Sequence, residues 1–163
     1  MSDFTVAQFQ TLFAYHWHTT GRLLDCAARL DEAVYLAHPG YGHGSIHDLL
    51  FHLLRADQNW RHALATGTRP TPPRPEDYPT LESLRAAFER ERSAWQVLLA
   101  EYSAARIEGE ANFINRSGET RTLSVWRVLQ HVLFHGMQHH AEIAALLTAK
   151  GQSPGDIDFI FFG

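Results

Sequence analysis

Histidine is the residue type that brings chemistry to this chain, and four of its eleven copies fall in one run, Leu123 to Lys150. Within it His131, His135 and His139 are spaced four apart. On a helix, residues four apart lie one above the other, so two neighbouring imidazoles reach a single ion. Either His131 with His135 or His135 with His139 satisfies that spacing, and azimuth separates the two. At ~100° per residue, Leu129, Val132, Leu133, Gly136, Ile143 and Leu147 cluster within roughly 40° of one direction, the core. His139 lies about 80° and His135 about 120° from its centre, whereas His131 lies about 160° away beside Gln138 and Glu142. The His135/His139 pair is therefore the one placed for a half-buried site. HxxxH alone is also compatible with a helix that carries histidine as an ordinary polar surface residue.

A third ligand must come from another element. Ser45 is placed to cap a helix running through IHDLLFHLLRADQNWRHALAT to a stop at Gly67. With Leu53 as the centre of its apolar face, Ile46, Leu49, Asp57, Trp60 and Leu64 fall within about 40° of it and His52 about 100° off. His52 shares that shoulder with Ser45, Ala56, Asn59 and Ala63, small enough to let a neighbouring helix or an ion approach. His47 and His62 point away from it and are expected in solvent. Asp57 falls on the apolar side, where a carboxylate needs an imidazole or a cap as partner because an unpaired buried charge is costly.

The rest of the chain supplies the frame. Phe4 to Leu30 repeats apolar residues at helical spacing, with Ser2 and Asp3 as N-cap candidates. His16 and His18 flank Trp17 and read as solvent-facing or satisfied by a neighbour. Asp31 to Gly44 is a loop, and its His38 and His43 carry no assignable role. Thr68 to Thr80 holds five of the seven prolines and is expected to cross the bundle in extended form. Leu81 to Tyr102 is a further helix whose charges, among them Glu82, Arg85, Glu89, Arg90, Glu91 and Arg92, read as a solvated face. Ile107 to Thr122, with Ser117-Gly118 between two alternating segments, predicts a small β-hairpin. The expectation is an all-α four-helix bundle, one domain over 1–163, with a short hairpin before the last helix and a proline-rich crossing.

Composition narrows the function classes. A net charge of −4 leaves no basic face for phosphate contacts, so nucleic acid is not an expected partner. No apolar run approaches the ~18 residues of a membrane span, and no signal-peptide core is visible. The single cysteine, Cys26, precludes an intrachain disulfide, and a cytoplasmic location is expected. Phosphate-binding glycine loops, CxxC pairs and GxSxG elbows do not occur. If the second and last long helices are neighbours, His52, His135 and His139 meet, and three neutral imidazoles suit Zn(II), Ni(II) or Fe(II) with positions open for water or substrate.

The order of LLFHLLRADQNW, a proline-rich crossing, a third helix, a hairpin and HVLFHGMQHHAEI resembles the DinB/YfiT family of metal-binding four-helix bundles, over nearly the whole chain. The last helix of that family often reads HVxNHGxHHRGQI. Phe134, Gln138, His140 and Glu142 depart from that pattern, standing where it has asparagine, histidine, arginine and glutamine. The resemblance implies metal ligands at His52, His135 and His139, and an activity such as thiol-dependent transfer or hydrolysis on a small molecule, with a low-molecular-weight thiol as candidate partner. Glu142, one turn beyond the ligand pair, and Asp57 are the candidate catalytic carboxylates or ligand orienters. Two other readings remain open: a non-catalytic, stress-related bundle in which the ion staples two helices, and a bundle without an ion. The C-terminal Phe159, Ile160, Phe161 and Phe162 need burial against the bundle or in a homodimer, which the resemblance also implies.

Overall fold

The computed structural model describes residues 5–115 and 117–163. Its long helices are α1 (Val6–Ala27), α3 (Ile46–Thr66), α4 (Leu81–Ala100) and α6 (Val125–Ala149); short turns form α2 (Glu32–Tyr35) and α5 (Ala104–Glu108). Strands β1 (Glu110–Ile114) and β2 (Thr120–Ser124) pair antiparallel, Glu110 opposite Ser124 and Ile114 opposite Thr120, directly before α6. The expected bundle, hairpin and proline-rich crossing are all present, the crossing interrupted only by one 3-10 turn at Pro75–Asp77.

Helix ends follow the local chemistry. Thr5 caps α1, its hydroxyl accepting from the Gln8 N–H while the Gln8 side chain accepts from the Thr5 N–H. The expected caps Ser2 and Asp3 lie outside the described residues, and the cap falls at Thr5 because Gln8 stands three residues on. Ser45 and Asp48 form the same reciprocal pair at α3, and Gly67 ends that helix at φ 70°, a conformation other residues adopt with strain.

Around the bundle, α6 packs on α1 and α3, and α4 packs on the same two, leaving α1 and α3 on a diagonal. β1 lies against α3 and β2 against α6, so the hairpin closes one end of the α3/α6 seam. Phe9, Leu23, Leu50, Leu53, Leu54, Leu84, Trp95, Leu129, Ile143 and Leu147 are almost wholly buried. Phe13 stacks on Trp95 with ring centroids 4.5 Å apart.

Two surface expectations are corrected. His47 is buried, its Nε2–H donating to the Tyr78 carbonyl at 2.9 Å, because the proline-rich segment runs over the helix face that periodicity assigns to solvent. Glu91 is 3 % exposed rather than solvated, and Arg61 grips it with two bonds of 2.6 and 3.0 Å. Burial raises the Glu91 pKa, and the Arg61 guanidinium opposes that rise. The Asp31 to Gly44 loop contains the helical turn α2, which sequence reading did not separate.

One packing contact ties three helices together. The imidazole of His16 on α1 lies directly against Gly136 on α6, where an added Cβ would stand 2.5 Å from His16 Cε1 and Nδ1. From there the His16 Nε2–H donates across the diagonal to Asp57 Oδ2 on α3 at 3.1 Å. His16 cannot yield cheaply, being 1 % exposed and bonded. Gly136→Ala is predicted to lower stability by up to about 2 kcal/mol, the ~1–3 kcal/mol cost of overpacking set against the ~1 kcal/mol gain in helix propensity. A urea titration measures this as a lower midpoint at unchanged slope; equal or higher stability would show that His16 moves aside freely.

Candidate metal centre

The α3/α6 seam presents three imidazoles to one point. His52 Nε2 lies 3.1 Å from His135 Nε2, and His139 Nε2 lies 3.1 Å from the same atom. The expected trio is thus brought together, each residue from the helix the spacing assigned. Nitrogens bound 2.0–2.1 Å from a tetrahedral ion stand roughly 3.3 Å apart, so the cluster is close to the dimensions a divalent ion requires. His139 is buried, while His52 and His135 are partly exposed and open the cluster to solvent on one side. His131 lies outside the trio, exposed, with its ring edge-on to Trp60 at 5.0 Å.

The protonation of the cluster is compatible with three nitrogens offered to one point. Glu142 Oε2 accepts from His139 Nδ1–H at 2.8 Å, which leaves the Nε2 lone pair of His139 facing inward. A carboxylate on the outer nitrogen is the arrangement that orients metal-binding imidazoles and raises their basicity. Burial, then the neighbouring His139, Arg55 and His43, pushes His52 down to about 4, and burial, then His139, His52 and His131, pushes His135 down to about 4. Both are therefore neutral at pH 7 with lone pairs available. Arg55 Nη2 approaches His52 Nδ1 at 3.4 Å. That long contact has to be relinquished when His52 carries its proton on Nδ1 and offers Nε2 to an ion.

The two candidate carboxylates fall in different places. Glu142 is half-buried at the cluster itself. Asp57 is fully buried one layer beneath, with His16 as the imidazole partner its position demanded. Burial raises its pKa and His16 opposes that rise. Beside it, Thr20 donates to the His16 carbonyl and accepts from His140 Nε2–H, both at 2.9 Å. Desolvation holds His140 well below the ordinary histidine range. Sequence reading did not assign roles to His140 or His43, although a histidine between Gly42 and Gly44 is a signal of a side chain on an unusual backbone. His43 stacks over His52 at 5.4 Å and meets His139 edge-on at 5.1 Å.

The pKa shifts predict how the metal-free protein responds to acid. The unfolded chain protonates these histidines near pH 6.5, whereas folded His52 and His135 resist until about 4. Their contribution is present above the unfolded value and is lost as pH falls from about 6.5 towards 4, because only the unfolded state then takes up the protons. The melting temperature of chelator-treated protein is expected to fall across that window, and the fall is expected to be shallower in His135→Gln. A flat profile from pH 7 to 5 would contradict the burial of these rings.

Comparison with known proteins agrees with the fold. No curated protein matches the chain in sequence. Among solved structures, YfiT from Bacillus subtilis, described as a probable metal-dependent hydrolase with an unusual four-helix bundle topology, superposes with a TM-score of 0.67 at 15 % identity, covering 94 % of this chain and 91 % of its own. A DinB-like protein from the same organism superposes with a TM-score of 0.64 at 12 % identity, covering 87 % and 93 % respectively. No helix among the described residues is long and apolar enough to cross a membrane. With the DinB family model matched from residue 1 to residue 163, the chain belongs to the DinB family.

Proposed function

We propose that the protein is a metal-dependent enzyme acting on a small molecule, a hydrolase or a thiol-dependent transferase, with a divalent ion held by His52, His135 and His139. The observation that carries this reading is the convergence of three Nε2 atoms, neutral at pH 7 in His52 and His135, on a face open to solvent. The description of YfiT as a probable metal-dependent hydrolase supports the hydrolytic branch. Zn(II), Ni(II) and Fe(II) all suit three imidazoles. When bound, such an ion lowers the pKa of a coordinated water or thiol towards neutrality. Glu142 fixes the His139 ring and is the group placed to take a proton at its carboxylate. Asp57 reaches no solvent, so we assign it a positioning role through His16, which rests on the helix turn bearing His135. Trp60 and His131 form an aromatic wall beside His135, whose ring lies 5.9 Å from that of His131. The location we infer is cytoplasmic, consistent with one buried, unpaired Cys26.

Elemental analysis of protein made without a histidine tag is expected to find one divalent ion per chain in the wild type and to lose it in His139→Ala. Turnover of a panel of esters, amides and thiol adducts should vanish on chelation with the helical circular dichroism retained, and return with added metal. Activity that survives metal removal in folded protein would sink the mechanism. The stapling alternative makes the opposite forecast: no turnover, and a melting temperature that drops steeply on chelation, since an ion at 1,000 times its Kd stabilises the fold by about 4 kcal/mol.

We further propose a homodimer. Phe159 and Phe162 rest on Tyr15, but Ile160 is 80 % and Phe161 71 % exposed, and Phe134 nearby on α6 is 68 % exposed. Leu12, Tyr15, Leu133, Phe134, Met137 and Phe159 line an apolar cleft between tail and bundle. Self-complementary burial of this face is the economical way to remove it from water. Light scattering at micromolar concentration is expected to give about twice the 18.5 kDa chain mass, and Phe161→Glu to halve it; a concentration-independent monomer would refute the dimer.

A further inference from the structure

Arg55 stands one turn after His52 on α3, and the fold gives it no acceptor. The half-buried arginines among the described residues are Arg22, Arg55, Arg61, Arg85 and Arg106. Arg61 and Arg85 hold the carboxylates of Glu91 and Asp25, and Arg22 and Arg106 donate to main-chain carbonyls. Arg55 alone of this set bonds no oxygen. Its Nη2 meets His52 Nδ1 at 3.4 Å, and its guanidinium carbon stands 5.8 Å from the centre of the Phe51 ring. Taking a guanidinium partly out of water costs hydration that an acceptor ordinarily returns.

The one polar contact Arg55 makes is lost when the site fills. His52 then carries its proton on Nδ1 and offers Nε2 to the ion, so two donors face each other and the guanidinium is released. A divalent ion on three imidazoles adds its charge to that of Arg55, and Glu142 is the carboxylate bonded at the cluster. The mouth of the site is thus positive in a chain whose net charge is −4.

Geometry limits what can use this cation. Nδ1 and Nε2 lie on opposite flanks of the imidazole, so Arg55 stands one ring's width beyond the ion position. A molecule reaching both needs a chain of roughly two or three carbons, given coordination bonds of about 2.0–2.3 Å. The planar fork of a guanidinium matches the shape of a carboxylate, and one positive charge matches one negative.

We propose that Arg55 is a specificity-determining residue, seating the carboxylate of a small substrate or thiol whose other end reaches an ion on His52, His135 and His139. This inference rests on the metal site of the proposed function and narrows its substrate to carboxylate-bearing small molecules.

The test titrates Co(II)-loaded full-length protein with 3-mercaptopropionate and with its uncharged methyl ester, reading the sulfur-to-cobalt absorption band. The wild type is expected to bind the carboxylate form at least about tenfold more tightly, the lower end of what a charged hydrogen bond contributes. Arg55→Gln is expected to remove most of that preference, with Co(II) content and ester affinity unchanged, and Arg55→Lys to keep part of it. Arg90→Gln, which removes an exposed charge on α4, is expected to match the wild type. No preference in the wild type, or one undiminished in Arg55→Gln, overturns the carboxylate seat while the cobalt band leaves the metal site standing. An equal loss in Arg90→Gln reduces the effect to general charge and overturns the seat as well. A wild type that holds no Co(II) removes the three-histidine site and this inference with it.

Discussion

A carboxylate with no access to water has to find a partner, and in this bundle Asp57 finds it across the diagonal. Its bond to His16 links α3 to α1, while the back of the His16 ring lies on Gly136 of α6. Three helices are therefore registered by one side chain. The consequence for the seam is direct, because His135 is the residue before Gly136 and His139 follows three later, while His52 precedes Asp57 by five. A slip of α1 along either partner would separate the buried pair and leave a buried polar group without its partner, at a cost of about 1–3 kcal/mol. The convergence of His52, His135 and His139 is thus maintained by polar groups that themselves do not touch the cluster. Deeper still, Thr20 satisfies the His16 carbonyl and His140 together, so the fixed ring of His16 is flanked by fixed neighbours.

Much of this arrangement is legible from spacing. The apolar stripe of α6, set by Val132, Leu133, Gly136, Ile143 and Leu147, places His135 and His139 on one shoulder, and the stripe of α3 does the same for His52. Asp57 announces its need for an imidazole by lying on an apolar face. These inferences hold because they depend on helical periodicity and on desolvation, both of which act through the residue's own helix. His47 and Glu91 defeat the same reasoning. Each lies on a polar face of its own helix, and its burial comes from elsewhere, from the Tyr78 segment over His47 and from the Arg61 guanidinium on Glu91. At the start of α1, Thr5 prevails over earlier polar residues because Gln8 completes a reciprocal pair with it. His43 is illegible for a different reason: its position is set by loop dihedrals that depend on Gly40, Gly42 and Gly44 together, and no periodic rule relates a loop residue to a helix face.

Burial also divides labour among the three imidazoles. His139 is enclosed and tied to Glu142, so its tautomer is determined before anything binds. His52 and His135 are partly exposed and depressed to about 4, which keeps them neutral without a hydrogen bond of charge-assisted strength to fix them. The cluster thus has one enclosed ring held by a carboxylate and two rings on its solvent side. The partly exposed side faces the glycine loop, through His43 stacked on His52, and His131 with its Trp60 neighbour on α3. The two partly exposed rings lie on the solvent side, and the buried Asp57, His16 and Gly136 layer beneath them is the part of the seam that sets where they stand.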